Sequence, residues 1–128
     1  MEKQARFGPA GNSEEFISSG RKSTLQAPEW LAGLGLNAYE YQGGHGINTS
    51  EKTARELGAN AEQHGIALSV HAPYYISLAS DDPLKRDNSL RYIQQSAQAV
   101  SWMGGNRIIV HPGGLGGLTR SDATLLAA

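Results

Sequence analysis

The sequence contains no cysteine. Disulfides and thiolate metal ligands are therefore excluded, and any metal must be held by imidazole, carboxylate or water. No apolar run approaches the ~20 residues of a membrane span, and Met1-Glu2-Lys3-Gln4 opens the chain without the apolar region of a signal peptide. With cysteine absent as well, a soluble cytoplasmic protein is the expectation. Charge of one sign is also lacking. The formal net charge is -1, which excludes a whole-molecule pull toward nucleic acid or anionic membrane but not a local basic rim. No G-x-G-x-x-G follows the first apolar segment, against a dinucleotide-binding unit. What remains is ordinary globular material: 128 residues, 39% hydrophobic and 18% charged, enough for one domain with a real core.

Two short apolar runs carry the main signal. Ile66-Ala67-Leu68-Ser69-Val70 ends at His71, and Arg107-Ile108-Ile109-Val110 ends at His111. Each is followed at once by breakers, Ala72-Pro73-Tyr74-Tyr75 and Pro112-Gly113-Gly114. Continuous apolar runs bounded in this way suit strands covered on both faces. A metal-competent side chain at the carboxyl end of such a strand sits at the rim where α/β proteins keep their chemistry.

The pattern predicts strands alternating with helices. A first strand is expected over Ala5–Gly8, breaking at Pro9-Ala10-Gly11-Asn12, with Ser13 capping a short helix that carries Phe16 and Ile17. A helix from Pro28 to Gly35 and a strand over Asn37–Tyr41 follow. Asn48 with Glu51 resembles a capping pair for a helix over Thr49–His64, with Ala54, Leu57 and Ala61 on one face and Gly65 as its stop. Asp82-Pro83 opens another helix, with Leu90, Ile93, Ala97 and Val100 as its stripe, and Thr119 or Ser121 begins the last. The strand ends at His71 and His111 lie 40 positions apart, a strand-helix-strand spacing. About four such units point to the N-terminal half of a (β/α)₈ TIM barrel, truncated here: a single partial domain, 1–128, of a fold that takes ~250 residues. An open doubly wound sheet is the alternative. A half-barrel has exposed parallel edges, and self-association through them is expected.

Two imidazoles on neighbouring strands, ~4.8 Å apart, can chelate one ion; hydrogen-bonded rim histidines are the competing reading. His45, in the glycine-rich loop Gln42–Gly46, is a candidate for phosphate contact or a bystander in an open loop. His64 ends a helix, where it favours the dipole's negative end. Glu40 either lines the pocket or is solvated. Tyr74 and Tyr75 can stack on bases or wedge into a duplex, or pack a loop. Gly113-Gly114 and Gly116-Gly117 allow close backbone approach to a ligand. Arg6, Arg21, Lys22, Lys85 and Arg86 are candidate phosphate contacts, while Trp30, Trp102 and Met103 read as packing.

Four segments together, RFGPAGN (Arg6–Asn12), LGLNAYEYQ (Leu34–Gln42), SVHAPYYISLAS (Ser69–Ser80) and RIIVHPGG (Arg107–Gly114), resemble the N-terminal half of the endonuclease IV family. These are zinc-dependent apurinic/apyrimidinic endonucleases with a xylose-isomerase-like barrel. The resemblance implies a three-zinc cluster in which His71 and His111 bind the same ion and act in catalysis through it. It implies hydrolysis of the phosphodiester 5′ to an abasic site in double-stranded DNA, a step of base excision repair. It places Tyr74 and Tyr75 at DNA-penetrating positions, and Gly44 and His45 in a further DNA-contacting loop, with His45 where a basic residue is more usual. The family's other ligands come from later strands, so weak zinc binding and no nuclease activity are expected of this chain by itself. Two other functions stand beside this one: a metal-dependent sugar isomerase or epimerase on the same barrel, which calls for a more acidic site, and an inactive self-associating half-barrel.

Overall fold

A computed structural model describes residues 4–128. Nine glycines at positive φ break the chain into short elements. Helix α1, Glu14–Ser18, is capped by Ser13, whose hydroxyl accepts the Phe16 N–H. A 3₁₀ turn at Thr24–Gln26 leads into α2, Ala27–Gly33, with Pro28 in its first turn. Strand β1, Ala38–Gln42, is followed by α3, Glu51–Gln63, then β2, Ala67–His71, and α4, Pro83–Trp102. The short β3, Ile108–Ile109, and α5, Arg120–Ala127, complete the order.

The three strands form one parallel sheet in the order β1-β2-β3. Gln42 lies beside His71, and His71 beside Ile109. Tyr39, Tyr41, Leu68, Val70 and Ile108 face the helices and join Phe16, Leu31, Leu57, Ile66, Val100 and Met103 in the core. The alternate positions, Ala38, Glu40 and Gln42 with Ala67, Ser69 and His71, form the other face. An α/β unit with helices on one side of a parallel sheet and polar side chains on the other is a segment of barrel wall.

Three sequence expectations shift. Over the expected first strand, Ala5–Gly8, no strand forms. The chain does run parallel to β1, with Ala38 N–H donating to the Phe7 carbonyl (3.1 Å) and Glu40 N–H to that of Pro9 (3.1 Å). Pairing reduces to a single bridge, Ala10 to Glu40, because Pro9 has no N–H to return. The run Arg107–Val110 yields only two strand residues. Its partner β2 ends at His71, and the last bond, from Ala72 N–H to the Ile109 carbonyl (2.9 Å), closes the ladder. Finally, α3 is capped by Ser50, not Asn48: the Ser50 hydroxyl accepts the Thr53 N–H at 3.1 Å, so Glu51 is the first helical residue.

Helix α4 corrects its predicted stripe. Val100 is buried and Ile93 half-buried, but Leu90 and Ala97 are exposed; Ser89 and Ser96 face inward instead. The hydroxyls are satisfied at close quarters. Ser89 Oγ accepts the Ser77 N–H (2.9 Å) and donates to the Lys85 carbonyl (2.8 Å), and Ser96 Oγ donates to the Tyr92 carbonyl (2.8 Å). Small inward residues let the helix lie close to the loop after β2, and Ser89 pins that loop.

Burial raises the Tyr39 phenol from 10.0 to about 12, and burial pushes Tyr41 in the same direction. Unfolded tyrosine loses its proton first as pH rises. The stabilisation is therefore complete below pH 10 and lost on the way to pH 12, by roughly 2–3 kcal/mol for Tyr39. Urea denaturation at pH 9 and pH 11.5 should show this loss, and Tyr39→Phe should flatten most of it. Among the described residues no helix is long and apolar enough to cross a membrane.

Candidate metal centre and aromatic rim

His71 is the last residue of β2, and His111 lies two residues beyond β3 on the neighbouring strand path. Parallel pairing puts both on the face turned away from the helices. Their rings stand 5.0 Å apart and are tilted by 32°, with the two Nε2 atoms 3.1 Å from each other. His71 Nδ1 lies 2.7 Å from the Ala72 carbonyl oxygen. A carbonyl only accepts, so Nδ1 carries the hydrogen and the Nε2 lone pair is turned toward His111. A backbone carbonyl on the far nitrogen is the usual way a ligating imidazole is oriented.

The pair fits a shared ion. Two nitrogens at ~2.0–2.1 Å from a tetrahedral zinc stand about 3.3 Å apart, close to the separation here. Among the described residues no cluster of three His, Asp or Glu could hold a metal, so the pair supplies two donors and no more. Glu40 shares the same face but engages Gln42 Nε2 (3.2 Å) and, more loosely, Ser69 Oγ (3.5 Å).

The loop after β1 abuts the histidines. Gly43 N–H donates to the His71 carbonyl at 3.0 Å. A Cβ on Gly43 would stand 2.5 Å from that oxygen and collide with Ile47. Gly43→Ala should therefore cost about 1–3 kcal/mol, the usual range for overpacking, measured as a drop in urea midpoint at unchanged slope.

Tyr74 and Tyr75 form an exposed rim beside the pair, 60% and 44% accessible, so neither is buried as a packed-loop reading would have it. Tyr74 N–H donates to the Gly44 carbonyl at 3.1 Å, and the His45 ring meets the Tyr74 ring edge-on at 5.2 Å. Tyr74 meets Tyr75 at 5.6 Å, and Tyr75 meets Tyr92 of α4 at 4.9 Å. The structure thus gathers His45, Gly44, Tyr74 and Tyr75 in one place and adds Tyr92. Sequence reasoning missed Tyr92 because its contact depends on how α4 docks, and no local spacing encodes that. The second glycine loop also leans on this region: a Cβ on Gly113 would lie 2.9 Å from the Ile76 carbonyl.

Other candidates fall elsewhere. His64 is the C-cap of α3. Arg21 donates to Ser19 Oγ (2.9 Å) and Arg86 to the Ser80 carbonyl, both local ties, while Lys22 and Lys85 are exposed. Arg6 is at the wrong end. It lines a cleft of about 1020 Å³ with Arg107, Trp102 and Ala67 at the amino ends of the strands. The catalytic geometry of a barrel lies at the opposite, carboxyl end, so the size of that cleft does not make it the site. Trp30 and Trp102 pack on the core and Met103 is buried in it.

Comparison with known proteins agrees with this architecture. The family described as "Xylose isomerase-like TIM barrel" matches residues 28–127. An uncharacterized protein of Methanocaldococcus jannaschii is 32% identical over 107 residues, covering 84% of this chain and 36% of its own. A protein named probable endonuclease 4 from Acholeplasma laidlawii is 30% identical over 119 residues, covering 81% of this chain and 40% of its own. D-psicose 3-epimerase from Clostridium cellulolyticum, solved with D-tagatose, superimposes with a TM-score of 0.66 at 19% identity, over 84% of this chain and 40% of the epimerase. The chain thus spans well under half the length of these relatives. With its parallel sheet, one-sided helices and matching sequence, the chain belongs to the xylose isomerase-like TIM barrel family.

Proposed function

We propose that this chain is part of a zinc-dependent endonuclease that hydrolyses the phosphodiester on the 5′ side of abasic sites in duplex DNA. The observation that carries the reading is the His71–His111 pair, with Nε2 atoms 3.1 Å apart, beside an exposed tyrosine rim. The relatives named probable endonuclease 4 support it. His71 and His111 would hold one zinc ion, with further ligands from outside this chain. Bound zinc supplies charge stabilisation at the phosphate and lowers the pKa of water toward neutrality. His71 is set for its part by the Ala72 carbonyl, which keeps Nδ1 protonated and Nε2 free. Tyr74 and Tyr75 present π-faces and edges to a duplex opened at the lesion. Extruding a nucleotide that lacks its base costs less, because no pair is broken.

One feature favours a second reading, a sugar isomerase or epimerase. The carboxylate of Glu40 lies on the same face as the histidines, where it would repel a phosphate and suit a polyol. The decisive experiment gives the whole protein, with zinc, a duplex containing one abasic site and, separately, a ketohexose. Nicking on the 5′ side of the lesion supports the endonuclease. Sugar interconversion without nicking overturns it.

A further inference from the structure

The four aromatic rings at the rim form a ladder, and only one of its rungs stands on a regular element. His45 belongs to the loop after β1, and Tyr74 and Tyr75 belong to the loop after β2. Tyr92 belongs to the 20-residue helix α4, which is fixed in the core through Ser96, Ala99, Val100 and the following Met103. Tyr92 lies one turn from Ser89, and Ser89 holds the loop after β2 through Ser77. The Tyr75 and Tyr92 rings cross at 83° with centroids 4.9 Å apart, the closest spacing in the ladder. Tyr75 then meets Tyr74 at 71°, and Tyr74 meets His45 at 88°. Edge-to-face contacts of this kind fix ring orientation because the positive edge of one ring seeks the negative face of the next. The Tyr75 hydroxyl also closes on Gly46: a Cβ there would lie 3.3 Å from the oxygen.

We infer that Tyr92 is a positioning residue for DNA recognition. Its ring holds Tyr75, Tyr75 holds Tyr74, and Tyr74 in turn holds the Gly44–His45 loop through the 3.1 Å hydrogen bond and the His45 contact. Presenting rings already ordered lowers the entropy lost on binding. The inference rests on the endonuclease reading for its consequence, but not for its structural part. Among the described residues Tyr92 shares no ring contact with either histidine of the pair, so it sets affinity and not the chemical step.

The test uses the whole protein with three sequences: wild type, Tyr92→Ala and Tyr92→Phe. Two quantities are read: KM and kcat on a duplex with one abasic site, and amide exchange at Tyr74, whose N–H bonds the Gly44 carbonyl. Loss of one edge-to-face contact corresponds to roughly threefold to tenfold. Tyr92→Ala should raise KM by that factor with kcat unchanged and speed Tyr74 exchange, while exchange at Val70 stays slow. Tyr92→Phe keeps the ring and should restore both. Wild-type Tyr74 exchange in Tyr92→Ala overturns the inference, as does faster exchange with an unchanged KM. If the wild type does not act on abasic DNA, the endonuclease reading fails. The recognition role falls with it, and the exchange arm then decides the structural part alone: faster exchange at Tyr74 in Tyr92→Ala upholds Tyr92 as the support of the Tyr74 loop, and unchanged exchange overturns it.

Discussion

His71→Ala in the whole protein should abolish zinc-supported nicking at abasic sites, by on the order of a thousandfold or more, which is the scale of losing several kcal/mol of metal-derived charge stabilisation. One imidazole of a convergent pair is removed, and the other, His111, is exposed and, among the described residues, belongs to no larger cluster of metal-competent side chains. His111→Ala should do the same. His71→Asn tests the arrangement more sharply, because it keeps a polar side chain but not the fixed ring with a lone pair on its far nitrogen. Zinc titration by calorimetry gives the second readout: affinity should fall with each alanine variant, and the double variant should fall little further, since both act on one ion. Residues 1–128 alone should bind zinc more weakly than micromolar, because a two-donor site is open. Submicromolar binding by that chain, lost in His71→Ala, would mean that ligands unaccounted for here complete the site.

The second large effect concerns the rim. Tyr74→Ala should weaken binding to an abasic duplex by roughly fivefold to 150-fold, the range for loss of a base–aromatic stack, and should barely change binding to an undamaged duplex. Tyr74→Phe should retain most of the affinity, since the face and edge of the ring carry the contact. The slope of log affinity against log salt should stay the same in Tyr74→Ala, because no phosphate charge is neutralised by a phenol. A parallel loss of affinity for damaged and intact DNA would assign Tyr74 to general backbone contact or to loop stability. Competition binding with fluorescent duplexes at two salt concentrations separates these outcomes.

Much of this architecture is legible in the sequence. The run ending at His71 forms a strand because Leu68 and Val70 alternate into a helix-covered core, and the residues between them face the other way. Its relation to His111 follows from parallel pairing, which stacks equivalent strand ends side by side. The buried face of α3 was equally plain, since Ala54, Leu57 and Ala61 recur at helical spacing. The failures have physical causes. Three- and four-residue spacing with Ile93, Ala97 and Val100 puts Leu90 on the inward stripe of α4, but that helix turns Ser89 inward because a loop, not a sheet face, lies against it there. Ala5–Gly8 reads as a strand by position, but a proline at residue 9 and the close passage of Gly8 against the Ala38 carbonyl leave only a bridge. The Tyr75–Tyr92 contact joins two segments 17 positions apart through tertiary docking, which no periodicity records.

The glycine at residue 43 has a consequence for substitution in the loop beyond it. Its amide is tied to the His71 carbonyl and its α-carbon has no space for a side chain, so the step from β1 into the loop that follows is held against β2. Beyond residue 43, His45 is exposed, whereas Gly46 sits at φ 116° and Ile47 packs on the core. A change of side chain at residue 45 should therefore leave the spacing of the imidazoles beneath it unaltered.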